Sequence, residues 1–400
     1  MTYRIDPQAQ EVSLGADGPS PLYNRRLCPS RRPAAAGIAV PMSAPPSRLL
    51  HLDALKALAA QAIVWHHLVS YGPIADTVQE LMPEVTALLF NHGRMAVQVF
   101  LVVGGFLSAR ALAPRREALQ GSLAQVGLLL GRRWLRLALP FFAAVLLTLG
   151  CSVLVAEWLP DLVPHSVGVA QLLSHALLLH GVLGHESLTV GAWYVAIDLQ
   201  LFGLLLGLLW CAGHFRRSRW IAPALVLALV AASLWVFNLD PALDNWAPYF
   251  FGAYGLGVLV HWLSASRWRE RWLALLCAMV LAALAHDFRG RIALALVTAL
   301  VLALLQWRHQ GGRPLLPAGR PAALLGHLGT HSYALFLVHF PICLLVNGLF
   351  EQKDPTQQGA ALAAILSAWL LSNAAAVPFH RWVERPAGRL RWPGWGLQRA

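Results

Sequence analysis

The sequence has too few charged residues for a soluble protein. Of its 400 residues, 12% are charged and 57% are hydrophobic, and the mean hydropathy is +0.56. Soluble globular domains are about one-quarter charged, so this chain cannot cover a globule of its size with polar surface. The composition excludes an ordinary soluble domain and, despite a formal net charge of +12, a soluble nucleic-acid-binding protein. It indicates an all-α, polytopic membrane protein.

Motifs for metal binding, disulfide bonds and ATP hydrolysis are also missing. The five cysteines are scattered, and no pair has the spacing of a zinc or redox site. The sequence contains no GxxxxGK phosphate-binding loop, no GxSxG nucleophile motif and no HExxH zinc motif. We therefore expect no metal and no permanently bound cofactor, and an ATP-driven pump is disfavoured.

Apolar stretches of membrane-spanning length recur between residues 48 and 390. We expect residues 1–47, which are polar, proline-rich and basic, to be a disordered cytoplasmic tail, with Met42 as an alternative start. Residues 391–400 form a short second tail. An apolar stretch at 167–183 is predicted to be re-entrant or interfacial. About ten spanning helices are predicted, at residues 52–71, 94–112, 135–157, 191–213, 219–238, 246–263, 272–288, 291–307, 330–350 and 359–380.

The distribution of arginine predicts the orientation of these spans. With the N-terminus inside, the predicted cytoplasmic segments contain 26 of the 29 arginines. The basic residues of the external loops are Arg94, Arg289, Arg291 and Lys353. This asymmetry follows the positive-inside rule and places both termini in the cytoplasm. The external loops are acidic instead, at Asp76, Glu80, Glu84, Glu157, Asp161, Asp240 and Asp244.

The first span contains ionisable residues, each of which costs about 3 kcal/mol on insertion scales and so requires a reason. Lys56 and His67 share a helix face about 16 Å apart along the axis. Asp53 lies one turn from Lys56, and these two residues form either a structural ion pair or part of a site. For His67 we favour function, because a neutral imidazole buried in a bundle is a competent general base.

The fourth and ninth spans supply further candidates. Asp198, five residues after Trp193, is predicted to lie within about one helical turn of His67 in depth. If the two helices pack together, its carboxylate would orient the imidazole; the alternative is an internal hydrogen bond to a neighbouring helix. His339, two residues before Pro341, either borders a cavity or is a core residue bonded to a neighbour.

An arginine run, formed by Arg132, Arg133 and Arg136, precedes the predicted third span. The positive-inside rule alone explains arginines at this position. Three of them at the start of one helix could also clamp a polyanionic ligand, such as the phosphates of coenzyme A.

Taken in order, these segments resemble the integral-membrane acyltransferase 3 family over residues 48 to about 390. Relative to the family pattern, Lys56 replaces an arginine, Gln98 an aspartate, Gly104 a serine and Asp198 a glutamate. The matching segments are Asp53 to His67, Phe100 to Phe106, Arg132 to Pro140, Trp193 to Asp198, Ser332 to Pro341 and Glu384 to Pro386.

The resemblance implies a multi-pass enzyme of the bacterial inner membrane. Such an enzyme would transfer an acyl group, most often acetyl, from cytoplasmic acyl-CoA as co-substrate to a hydroxyl of a cell-envelope glycan or lipid-linked acceptor. Polysaccharide-assembly proteins are candidate partners. His67 would act as general base or carry the acyl group briefly. The implied catalytic residues are His67, Asp198 and His339; the implied acyl-CoA ligands are Lys56, Arg132, Arg133 and Arg136; the implied supporting residues are Asp53, Trp193, Tyr333 and Glu384.

Two other functions remain open at this point. A transporter or flippase for a lipid-linked glycan would use the polar stripe as a pathway and would not consume acyl-CoA. A non-catalytic scaffold in a polysaccharide-assembly complex would account for the four departures from the family pattern, and it would bind partners without turnover.

Overall fold

The computed structural model describes residues 49–215, 218–313, 317, 319–353 and 358–390. The regular secondary structure of these residues is helical throughout, which confirms the predicted all-α membrane bundle. Both predicted tails, residues 1–47 and 391–400, lie outside the described residues.

The described residues form ten helices of at least 16 residues, each overlapping one predicted span. We number these long helices in chain order. They are α1 (Leu50–Leu68), α2 (Val97–Leu112), α3 (Leu123–Val155), α4 (Ala192–Gly213), α5 (Ser218–Trp235), α6 (Ala247–Leu263), α7 (Arg269–His286), α8 (Gly290–Gln310), α9 (Arg320–Lys353) and α10 (Gln358–Phe379).

Seven helical segments are long and apolar enough to cross a membrane: α3, α4, α5, α8, α9, α10 and the segment Pro83–Leu112, which joins a preceding short helix to α2. The other three are shorter or more polar. Helix α6 has 17 residues, α7 begins with Arg269, Glu270 and Arg271, and α1 carries Asp53 and Lys56. A membrane crossing by these three helices stays a prediction from the sequence.

Helix α3 begins 12 residues before the predicted span, at Leu123. A capping box fixes this start: the Ser122 hydroxyl accepts from the Gln125 backbone N–H, and the Gln125 side chain accepts from the Ser122 N–H. With 33 residues, α3 is about 50 Å long and exceeds the roughly 30 Å hydrocarbon core. The arginine run therefore lies inside the helix rather than before it.

Short helices cover the predicted external side. Pro73–Leu81 and Pro83–Gly93 follow α1, and both begin with proline at a first helical position. The stretch at 167–183 contains the helix Val169–Ala176, whose 8 residues span only about 12 Å. It is too short to cross a bilayer as a helix, as predicted.

Helix α9 lies at the centre of the bundle. Of its apolar window, 78% is buried, the largest share among the seven membrane-length helices. It packs against α1, α10 and α3, while α2 packs mainly against α6, and α6 also against α5. This arrangement brings the polar residues of α1, α3, α4 and α9 into one region.

Two glycines allow α2 and α6 to touch through their backbones. A Cβ atom at Gly105 would overlap the carbonyl oxygen of Tyr254, and one at Gly257 would overlap the carbonyl oxygen of Val102. Small residues permit this approach between membrane helices, where close packing drives association. The α2–α6 contact therefore depends on the absence of a side chain at both positions.

We expect Gly105→Ala and Gly257→Ala to lower the thermal unfolding midpoint of the purified protein in detergent, because the added methyl group must push two backbones apart. Gly207→Ala in α4 is the matched control, since nothing lies within 4 Å of its would-be Cβ and alanine favours a helix. Equal midpoints for all three variants would contradict the backbone contact.

Candidate active site

His67 and His339 meet in the centre of the bundle. The Nδ1 atom of His67 lies 2.7 Å from Nε2 of His339, and the two rings are stacked at 4.9 Å with an interplanar angle of 8°. His339 is fully buried, whereas His67, at the end of α1, is half-buried. Of the two interpretations open for His339, the structure supports the core residue bonded to a neighbour, because His339 is not among the residues that line the cavity beside His67.

The hydrogen bonds around this pair determine where the protons lie. Nδ1 of His339 is 3.2 Å from the carbonyl oxygen of Leu335, and a carbonyl can only accept, so this nitrogen carries the hydrogen. A neutral His339 then has an unprotonated Nε2, which accepts the hydrogen bond from Nδ1–H of His67. His67 is left with an unprotonated Nε2, the form that a general base requires.

The ring of His67 lines a cavity of about 580 Å³. Ligand pockets commonly measure about 300–1,000 Å³, so a sugar-sized molecule fits here. The lining is supplied by α1, α3, α4, α9 and the predicted external loops. Its polar side chains are His66, His67, Tyr71, Arg94, Thr148, Ser152, Asp161, Glu186, Ser187, Thr189, Trp193 and Tyr194.

A pair of buried histidines supports the loop that forms one wall of this cavity. His175 donates from Nδ1 to the Gln171 carbonyl at 2.8 Å, and its Nε2 accepts from the Leu188 backbone N–H at 3.0 Å. His180 stacks on the His175 ring at 4.3 Å. Both rings are fully buried, and burial lowers the pKa of His180 to about 4 and lowers that of His175 as well.

Asp198 binds Arg133 rather than His67. Its Oδ2 atom lies 2.5 Å from Nη2 of Arg133, and the guanidinium also lies over the Phe202 ring at 5.3 Å. Asp198 is 7% and Arg133 23% exposed at the side chain. The structure thus differs from the expectation that Asp198 orients His67, because a buried carboxylate takes the nearest cation. Arg133 is thus a structural partner of Asp198, and acyl-CoA binding by Arg133 stays a prediction.

The remainder of the arginine run lies in the first half of α3, on the predicted cytoplasmic side. Arg132 and Arg136 are exposed, and Arg136 lies within electrostatic range of Glu384. Glu384 is in turn 2.8 Å from Nδ1 of His380. Tyr333 donates its hydroxyl to the Leu137 carbonyl at 2.9 Å and so ties α9 to α3. Two arginines therefore face outward here, beside one carboxylate.

Lys56 and Asp53 form an ion pair with Nζ and Oδ1 2.8 Å apart. Asp53 is buried, and its backbone packs directly on Gly329 of α9. Of the two interpretations open from the sequence, the structure thus contains the ion pair. Acyl-CoA binding by Lys56 stays a prediction.

Two aromatic rings lie between the His67 cavity and the Asp198–Arg133 pair. Tyr194 lines the cavity and is one helical turn before Asp198 on α4. Phe336, which also lines the cavity, meets the Tyr194 ring edge-on at 5.5 Å. The three arginines are not among the lining residues of this cavity. The expected acyl-CoA clamp therefore lies outside the cavity that contains the expected base.

Several residues of the site carried no signal in the sequence. Thr148 and Thr189, whose hydroxyls are 3.2 Å apart, line the cavity, yet single threonines in apolar segments are common. Trp193 was predicted as a supporting residue, and the structure places it in the cavity wall, stacked on Phe250 at 5.5 Å. The capping box at Ser122 was visible in the sequence and would have located the start of α3.

Breaking the Asp198–Arg133 pair should destabilise the bundle. We expect Arg133→Met or Asp198→Asn alone to cost about 3–5 kcal/mol, because each leaves an uncompensated buried group, and the double variant to recover much of that loss. The measurement is the thermal unfolding midpoint in detergent. Arg132→Met, at the exposed neighbouring position, should be nearly neutral. A double variant no better than the single ones would contradict the pairing.

The loop histidines should make stability depend on pH. In the unfolded chain a histidine titrates near 6.5, whereas the folded protein keeps the pKa of His180 at about 4. Stability is therefore complete above about pH 6.5 and is lost as pH falls toward 4. We expect His180→Phe to reduce the fall of the unfolding midpoint between pH 7 and pH 5, whereas His92→Phe on the exposed surface keeps the wild-type slope. If the unfolding midpoint of His180→Phe falls between pH 7 and pH 5 as steeply as that of the wild type, His180 does not cause the pH dependence.

Comparison with known proteins assigns the family. A family model described as an acyltransferase domain, that of acyltransferase 3, matches residues 49–375. Neither the curated proteins nor the solved structures that were compared gave a match. The matched region contains α1 to α9 and most of α10, including the His67–His339 pair and the Asp198–Arg133 pair. The chain therefore belongs to the acyltransferase 3 family.

Proposed function

We propose that this acyltransferase moves an acyl group, most simply acetyl, from acyl-CoA to a hydroxyl group of a cell-envelope glycan or related lipid-linked acceptor. The observation that carries the proposal is the hydrogen bond between His67 and His339. It leaves one unprotonated ring nitrogen on a residue that lines a sugar-sized cavity. A base in that position is what transfer to a hydroxyl requires.

The acyl transfer proceeds through His67 Nε2. This nitrogen removes the proton of the acceptor hydroxyl while the hydroxyl oxygen attacks the thioester carbonyl carbon. The carbon–sulfur bond then breaks, and the coenzyme A sulfur takes the proton back from His67. The products are an ester and free coenzyme A, and His67 is regenerated as a neutral ring.

His339 takes the positioning role that the sequence gave to Asp198. While His67 is charged, His339 Nε2 continues to accept the hydrogen bond from His67 Nδ1–H. The bond from His339 to the Leu335 carbonyl keeps that acceptor nitrogen unprotonated. A neutral partner holds the ring in place without the electrostatic stabilisation that a carboxylate would give the imidazolium.

The donor approaches from the cytoplasmic end of α3. Arg132 and Arg136 are the exposed members of the arginine run and supply the bidentate phosphate contacts suited to coenzyme A. The thioester has to pass the Tyr194 and Phe336 rings to reach His67. Movement of these two side chains is therefore part of the proposal.

The acceptor binds from the predicted external side. The cavity wall includes residues 161–164 and 186–191, which the arginine distribution predicts to be external. Hydroxyl groups of Thr148, Ser152, Ser187 and Thr189 in this wall are suited to binding a polyhydroxylated ligand. An enzyme with this arrangement acylates glycans after they reach the outer side.

We expect His67→Ala to lower the release of coenzyme A from acetyl-CoA by about 10²–10⁴-fold, the usual contribution of a general base. The assay uses proteoliposomes with acetyl-CoA and an acceptor pool extracted from the cell envelope. His339→Ala should lower the rate less, and His339→Gln, which keeps an acceptor oxygen, should recover part of it.

His92→Ala is the control, because this exposed histidine lies outside the cavity lining. Full turnover in the His67→Ala variant would sink the mechanism. Glycan movement across the vesicle without release of coenzyme A would instead identify a transporter, and partner binding without turnover would identify a scaffold.

A further inference from the structure

The basic residues of the external side converge on one cavity. Arg94, Arg289 and Arg291 line a space of about 570 Å³ between α2, α6 and α8. They are three of the four basic residues in loops that are otherwise acidic; the fourth, Lys353, is outside this lining. Positive charge collected in a cleft raises the local concentration of anions.

Arg289 is a structural residue in this group. It is 9% exposed, and its guanidinium donates to the Asn238 side chain and to the Leu234 carbonyl, each at 3.0 Å. It also forms an ion pair with Asp287 at 3.2 Å. These contacts join the end of α5 to the loop before α8 and leave little capacity for a ligand.

Arg94 and Arg291, in contrast, have hydrogen-bond donors available for a ligand. The Nη2 atom of Arg291 donates to the Asn238 carbonyl at 3.0 Å, and its guanidinium lies 4.7 Å from the Tyr249 ring centroid. Its buried Nε–H meets no hydrogen-bond acceptor among the described residues, and an unsatisfied donor is costly. Arg94 is exposed and makes no ion pair within the described part of the chain. The acidic residue of the lining, Asp244, is exposed.

This basic cavity adjoins the one that contains His67. Arg94, Val97 and Trp193 line both. The Trp193 ring is 37% exposed and stacks on Phe250 at 5.5 Å, so it presents a rigid apolar surface between the two spaces. The two cavities therefore share a wall, and a molecule bound beside His67 lies next to Arg94.

We propose that the acyl acceptor is anionic: a phosphate or carboxylate group of the acceptor binds to Arg94 and Arg291 while one of its hydroxyl groups lies at His67. This inference rests on the proposed acyl transfer, since it assigns the acceptor's chemical class. Arginine forms paired, charge-assisted hydrogen bonds with phosphate and carboxylate groups. A neutral glycan would leave both arginines without an anionic partner.

The test is equilibrium binding to the full-length protein in phosphatidylcholine nanodiscs, by calorimetry at low salt, with glucose 1-phosphate, glucuronate and glucose as probes. We expect the two anions to bind more tightly than glucose. Arg94→Gln and Arg291→Gln should each weaken anion binding about tenfold, and the matched variant Lys353→Gln should leave it unchanged. His67→Ala should still bind, which separates this result from the outcome of the turnover assay.

Three results would overturn the proposal. One is equal binding of glucose and the anions, and another is anion binding that neither arginine substitution changes. The third result concerns nanodiscs that contain phosphatidylglycerol. If this lipid binds to the arginines and no soluble anion binds, the site recognises a lipid headgroup and not the acceptor. If the anions bind through the arginines but no variant or wild-type protein turns over acetyl-CoA, the acyl transfer fails while the anion site stands.

Discussion

The chemistry of the site depends on the hydrogen bond between His67 and His339. The second histidine is held by the Leu335 carbonyl, and this contact determines the protonation of both rings through the 2.7 Å contact between them. Helix α9 supplies both the Leu335 carbonyl and the His339 ring, so the fold of this helix determines the tautomer of His339. A change in the packing of α1 against α9 would alter the protonation state as well as the position of the base.

The buried ion pair between Asp198 and Arg133 is structural and not part of the histidine chemistry. Asp198 and Arg133 neutralise each other beneath the cavity, and neither is available to the histidine pair. An ion pair of this kind is weak support for stability yet costly to break. Together with the Tyr333 hydroxyl bond to α3, it connects α3, α4 and α9 around the aromatic rings of Tyr194 and Phe336. These contacts form a packed and charge-balanced region of the bundle.

The arginines divide into three groups by environment. Those of the predicted cytoplasmic face follow the positive-inside rule, whereas Arg133 and Arg289 form ion pairs within the bundle and are structural. The remaining external pair, Arg94 and Arg291, is positively charged, whereas the predicted external loops around it are mostly acidic. Acceptor recognition and acyl transfer would then use adjoining cavities that share Trp193 and Arg94, with the donor on the opposite side of the bundle.

The sequence by itself determined the membrane class, the ten long helices and the candidacy of His67 and His339, because bilayer burial imposes long apolar runs and makes each ionisable residue conspicuous. It also predicted that Trp193 supports the site. It did not determine which polar residues pair: depth along a helix is readable from spacing, whereas rotation and neighbours are set by packing. Asp198 therefore paired with Arg133 instead of His67, and Arg94 and Arg291, 197 positions apart in the chain, came to line one cavity. Only the contacts between helices, such as the backbone approach of Gly105 to α6, fix those rotations.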